Sequence, residues 1–175
     1  AESGWLRPHK TSTQEIGDLL AIVDRDLTDA CSNVSADWRF GIAYNAALRL
    51  CTILLYAEGY RPERNLQHYR TIQALAVILG DDRKADADYL EVCRKKRNVI
   101  EYDAVGTVTE RDAEELATFA LELKSRVLKW LEEKHPELVG CPGHPDLRDP
   151  DERPGGQGGH DQGHRGVLRD ARLPV

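Results

Sequence analysis

Apolar residues recur along most of this chain at steps of three and four, the spacing that lines one face of an α-helix. Ile16, Leu19, Leu20, Val23 and Leu27 draw one such stripe and predict a helix of about 18 residues. Ser12 followed by Glu15 has the form of a capping box at its start. A second helix is predicted from near Ser35 or Asp37 through "WRFGIAYNAALRLCTILLYAE". Phe40, Ala43, Ala47, Leu48, Cys51, Leu54 and Leu55 give it a broad buried face, and Gly59 supplies its stop. "YRPERN" reads as a loop, and "LQHYRTIQALAVILG" as a shorter third helix closed by Gly80 and the Asp81–Asp82 turn. The fourth covers "ADADYLEVCRKKRNVIEY", with Tyr89, Leu90, Cys93, Val99 and Ile100 on the inward side. "DAVGTV" breaks it. Thr109 with Asp112 then opens a long fifth helix to about Lys134, striped by Ala113, Leu116, Ala117, Ala120, Leu123, Val127, Trp130 and Leu131 and ended by Pro136.

No strand pattern and no internal repeat is visible. Amphipathic helices on mostly short connections must bury their stripes against one another, which predicts an all-α, mostly up-and-down bundle of about five helices over residues 1–139. From Gly140 the composition changes. "GCPGHPDLRDPDERPGGQGGHDQGHRGV" is rich in Gly, Pro and charge with almost nothing to bury, so residues 140–175 are expected to form a disordered tail.

Composition narrows the function classes. The chain has 175 residues, 31% charged and 41% hydrophobic, ordinary values for a soluble domain with one proper core. Its net charge of -6 argues against broad non-specific affinity for nucleic acid but leaves room for a local basic patch. No run approaches the roughly 18 to 20 apolar residues of a membrane span, and "AESGWLRPHK" lacks the order of a secretory signal. The four cysteines, Cys31, Cys51, Cys93 and Cys141, form no C-x-x-C pair. The first three fall on apolar helix faces, which predicts buried, reduced thiols and a cytoplasmic protein without membrane contact. His144, His160 and His164 near Cys141 match no metal-ligand spacing, and no phosphate loop, H-E-x-x-H or G-x-S-x-G is present, so neither metal nor cofactor is expected.

What remains is "CRKKRNVIEYD" at positions 93 to 103. On a helix, Arg97 and Glu101 share one face and Asn98 and Tyr102 an adjacent one, so the four can make one polar cluster near the helix end. The plainest reading of Arg94, Lys95 and Lys96 is that they solubilise the helix and complement the negative end of its dipole. Arg97–Glu101 would then be a surface ion pair worth a few tenths of a kcal/mol.

"RKKRNVIEYD", late in one helix and followed by a loop and a long amphipathic helix, resembles the signature segment of the HEPN superfamily of small helical-bundle domains. The upstream "AYNAALRLCTILLYAEGYRPERNLQHYRTIQAL" is similar to the long second helix and short connecting helix of bacterial members. The likeness runs from about Asp37 to Leu138. Nuclease members carry an arginine, often a polar residue after it, and a histidine five positions on from the arginine. The resemblance implies that two subunits pair around one cleft and cut RNA without metal, the ribose 2′-hydroxyl acting as nucleophile. Arginine would neutralise charge on the phosphorane and histidine would move protons.

Carried onto this chain, Arg97 is the phosphate clamp and Asn98 its orienting neighbour, while Tyr102 stands where the histidine belongs. A phenol with a pKa of about 10 is a poor general base at neutral pH, though it can donate to a phosphate oxygen or stack on a base. His68, beside Tyr69 and Arg70 at the start of the third helix, could supply the base if that end packs over Arg97. Arg70, Arg94, Lys95 and Lys96 complete the candidate RNA contacts.

Two readings follow. One is an RNA-directed homodimer of toxin–antitoxin or defence type, a metal-independent endoribonuclease in its active form, with a small nucleotidyltransferase as partner in some relatives. The other is a non-catalytic, dimeric interaction module that binds through the apolar stripes of the second and fifth helices.

Overall fold

A computed structural model describes residues 6–63, 67–102 and 108–139, without the side chains of residues 100–102. The described residues all belong to one compact unit ending at Cys141. The predicted disordered tail, the "DAVGTV" break as far as residue 107, and Cys141 with the three tail histidines lie outside the described residues.

Five α-helices carry the fold: α1 (Thr13–Ala30), α2 (Ala36–Ala57), α3 (Gln67–Leu79), α4 (Lys84–Tyr102) and α5 (Glu110–Lys134). Single 3-10 turns at Asp81–Arg83 and Pro136–Leu138 flank α4 and follow α5. The caps are those the sequence offers. Ser12 Oγ accepts the Glu15 amide at 3.1 Å, but the Glu15 carboxylate turns to His9 Nε2 at 2.9 Å, so only half of that capping box forms. At Thr109 the box is complete, with the Asp112 amide donating to Oγ1 and the Thr109 amide to the Asp112 carboxylate. Gly59 and Gly80 take positive φ values of 79° and 111° where α2 and α3 end, a conformation a side chain would strain.

α2 is the central element and packs against each of the other four helices. Its buried face is wider than predicted: Tyr44, Ala46, Leu50 and Ile53 join Phe40, Ala43, Ala47, Cys51, Leu54 and Leu55, while Leu48 is only half-buried. The stripes of α2 and α5 meet in the core. They are therefore not available as an interaction surface, which corrects the way the second reading pictured binding. α2 is also long and apolar enough by length and composition to cross a bilayer, its richest window having a mean hydropathy of 1.4. That departs from the expectation of no such run. Most of that window is buried inside the bundle, the arrangement of a central core helix.

Three further expectations are corrected. A two-stranded antiparallel ribbon pairs β1 (Leu6–Pro8) with β2 (Tyr60–Pro62), where the sequence pattern predicts no strand and "YRPERN" reads as a loop. Three-residue strands are too short to show alternation, and Pro8 and Pro62 at their ends disguise them further. The His9 amide extends the ribbon by donating to the Gly59 carbonyl at 2.8 Å. Val99 is exposed rather than inward, because nine residues at about 100° each put it half a turn from buried Leu90. Cys31 is exposed at the C-cap of α1, one residue past the last buried position, Ala30.

A candidate phosphate-binding site around Tyr44

Gly80 and one 3-10 turn join α3 to α4, and the two helices pack as a hairpin against α2. This arrangement carries the start of α3 and the end of α4 to the same side chain on α2, Tyr44. The Arg97 guanidinium stands over the Tyr44 ring, its Cζ 5.8 Å from the centroid, at the outer range of a cation–π contact. The His68 ring lies 6.3 Å from the same centroid, tilted by 53°. Arg97 is half-buried, His68 exposed and Tyr44 wholly buried. His68 and Arg97 thus each approach the same ring, one from α3 and the other from α4.

Among the described residues, the Tyr44 hydroxyl is the one buried side-chain polar atom without a hydrogen-bond partner. Burial pushes its pKa well above the ordinary phenol value, and the charges of Arg94 and Arg97 oppose that shift without overcoming it. At neutral pH it is a proton donor.

The other cations divide by what they hold. Arg94 makes a fork on Glu91 one turn back, both N–H···O distances being 2.8 Å. Hydrogen bonding from Arg94 lowers the Glu91 pKa and, reciprocally, raises that of Arg94. Lys96 pairs with Asp112 in the first turn of α5 at 2.8 Å, and its Nζ lies 5.8 Å from the Phe40 ring centroid. The Asp112 carboxyl is held far below the usual carboxylate range, first by Lys96 and then by Thr109. Lys95, with 70% of its side chain exposed, reaches Glu91 only at 4.0 Å. The picture of three solvated cations at a helix end therefore fits Lys95 but not Arg94 or Lys96.

Asn98 is half-buried beside Arg97. Tyr102 is the last residue of α4, and its side chain, like that of Glu101, lies outside the described residues, so the Arg97–Glu101 and Asn98–Tyr102 pairings do too. Arg70 lines a separate, mainly apolar cavity of about 430 Å³ with Leu55, Tyr60, Tyr69 and Val77. No three His, Cys, Asp or Glu side chains group closely enough to hold a metal ion among the described residues.

Tyr44 escaped the sequence reading. It lies four residues after Phe40 and three before Ala47, so periodicity alone could have placed it on the buried face of α2. Nothing local in α2 announces that residues 24 and 53 positions further on converge upon it. No protein-family model, curated protein or solved structure gives a significant match to the chain.

Proposed function

We propose that this bundle is an RNA-associated, HEPN-like protein, a metal-independent endoribonuclease of toxin–antitoxin or defence type working as a cytoplasmic homodimer. Arg97 binds the scissile phosphate, Asn98 and Tyr102 orient it, and His68 replaces the histidine that the "RNVIEY" segment lacks. The observation that carries this reading is the joint approach of His68 and Arg97 to one buried ring, from helices whose sequences are otherwise unrelated.

The chemistry is an in-line transfer. His68 takes the proton of the ribose 2′-hydroxyl, and the 2′-oxygen bonds to phosphorus. The bond to the 5′-oxygen breaks, leaving a 2′,3′-cyclic phosphate. The departing oxygen takes a proton from a second donor, a role open to the Tyr102 phenol. Arg97 stabilises the charge on the phosphorane. Arg70, Arg94, Lys95 and Lys96 follow as flanking RNA contacts, those of Arg94 and Lys96 requiring exchange of their present carboxylate partners. A small nucleotidyltransferase is the partner this reading suggests.

The second reading is a non-catalytic dimeric module. Apolar exposure on α3 and α4 favours it: Val77 is 82% and Val92 62% exposed, and Val77 borders the apolar cavity.

A cleavage assay on single-stranded RNA with EDTA present separates the two. Nuclease function requires cutting by wild type that Arg97→Ala and His68→Ala each reduce at least ~100-fold, the scale of losing a charge stabiliser or a general base. Intact RNA at every wild-type concentration removes the nuclease and leaves the module. Light scattering tests the dimer separately.

A further inference from the structure

Tyr44 carries a hydroxyl that its packing role does not use. Phe40, one turn earlier on the same face, fills its place in the core with a bare ring. A phenylalanine at 44 would serve Arg97 and His68 equally well as a surface to rest on, and would leave no donor stranded. Buried tyrosine hydroxyls almost always find a partner, so a donor with none among the described residues suits a ligand that the site would admit. The surroundings say what kind. The Arg97 guanidinium stands over the ring, and burial keeps the phenol protonated against the charges of Arg94 and Arg97. Glu91, the carboxylate partner of Arg94, acts in the same sense as burial. A protonated donor beside the Arg97 cation suits an anionic oxygen.

We propose that the Tyr44 hydroxyl is a third ligand group of this site, donating its hydrogen to a phosphoryl oxygen that Arg97 holds. The proposal rests on the RNA-phosphate reading of Arg97 above. The hydroxyl is closed to solvent, and the long Arg97 side chain stands over the ring. Access therefore requires the side chains packed over the ring, Arg97 among them, to shift, with Arg97 moving from the ring to the phosphate and forming a charge-assisted hydrogen bond there. The shared chemistry is a phosphoryl oxygen, whether from an RNA backbone or from free phosphate.

The test compares wild type, Tyr44→Phe and Arg97→Ala. Binding of a fluorescent single-stranded oligouridylate is measured by anisotropy with EDTA present, and melting temperature is measured with and without inorganic phosphate. Tyr44→Phe is expected to weaken oligonucleotide binding roughly ten-fold, the scale of a hydrogen bond to a charged group. Without ligand it should melt at or above wild type, because the stranded donor is gone. A phosphate-induced rise in melting temperature that wild type shows and Tyr44→Phe lacks would make free phosphate a sufficient ligand. Loss confined to the oligonucleotide would assign the RNA backbone.

Normal binding by Tyr44→Phe alongside weakened binding by Arg97→Ala overturns this inference and leaves the RNA reading standing. Weakened binding by Tyr44→Phe alone overturns the shared site. Melting of Tyr44→Phe below wild type would mean that the hydroxyl has an internal partner, which also overturns the inference. No binding by wild type, or equal binding by all three proteins, overturns both.

Discussion

Replacing Asp112 by alanine removes three contacts made by one carboxylate: the Thr109 amide at 2.9 Å, the Thr109 hydroxyl at 2.6 Å and Lys96 Nζ at 2.8 Å. The Asp112 amide keeps its bond to Thr109 Oγ1, so only the carboxylate half of the cap is lost. That half is worth about 0.5–1 kcal/mol. The ion pair, with about a third of each side chain exposed, adds only a few tenths of a kcal/mol after solvent screening. The sum is roughly 0.7–1.5 kcal/mol, which for a unit of this size lowers the melting temperature by about 2–8 °C.

Lys96→Ala should lose only the ion-pair part, about 0.5 kcal/mol, and Lys95→Ala essentially nothing. Calorimetry or urea titration at neutral pH measures all three. The pH dependence supplies an independent check. Because the folded Asp112 pKa is depressed, its contribution is complete above the unfolded value of about 4 and drains away as pH falls below that, toward the folded value. Asp112→Asn should lack that acid-side loss. A melting temperature for Asp112→Ala within a degree of wild type would refute the reasoning. So would a Lys96→Ala protein of unchanged stability that has lost RNA binding, since Lys96 would then belong to the site and not to the α4–α5 junction.

Other outcomes follow from the same contacts. Buried Asp26 accepts from Arg49 and from Arg25, so Asp26→Ala should cost about 2 kcal/mol in urea denaturation by stranding Arg49. Arg25→Ala, at a side chain 63% exposed, should leave the denaturation midpoint essentially unchanged. Thiol labelling of the native protein, mapped by mass spectrometry, should modify Cys31 rapidly and spare Cys51 and Cys93. Burial raises those two thiols to about 12 and about 11 and keeps them from the reagent. Rapid native labelling of Cys51 would mean that α2 is not the core helix described.

The helices were legible because what makes them is local. Ser12, Thr109, Gly59 and Gly80 mark element ends within a turn of where they occur, and the stripes of α1 and α5 need only the period of the helix itself. Arg97 and His68 could be named as chemistry-bearing residues on the same local grounds, one from a motif and one from its residue type. What local pattern could not carry is which distant segments meet. The β1–β2 ribbon depends on Leu6 finding Pro62, and three residues hold no periodicity to advertise it.

The roles of Arg94, Lys95 and Lys96, identical in kind along the chain, separate only when α4 takes its rotation. That rotation turns Lys96 to Asp112 on α5 and leaves Lys95 in solvent. Tyr44 is the clearest case. Its own helix makes it an unremarkable core aromatic, and it becomes the centre of a candidate site only because α3 and α4 fold back over α2. Side-chain chemistry and helix period are written residue by residue, but convergence is a property of packing, settled by how the three helices bury their apolar faces together.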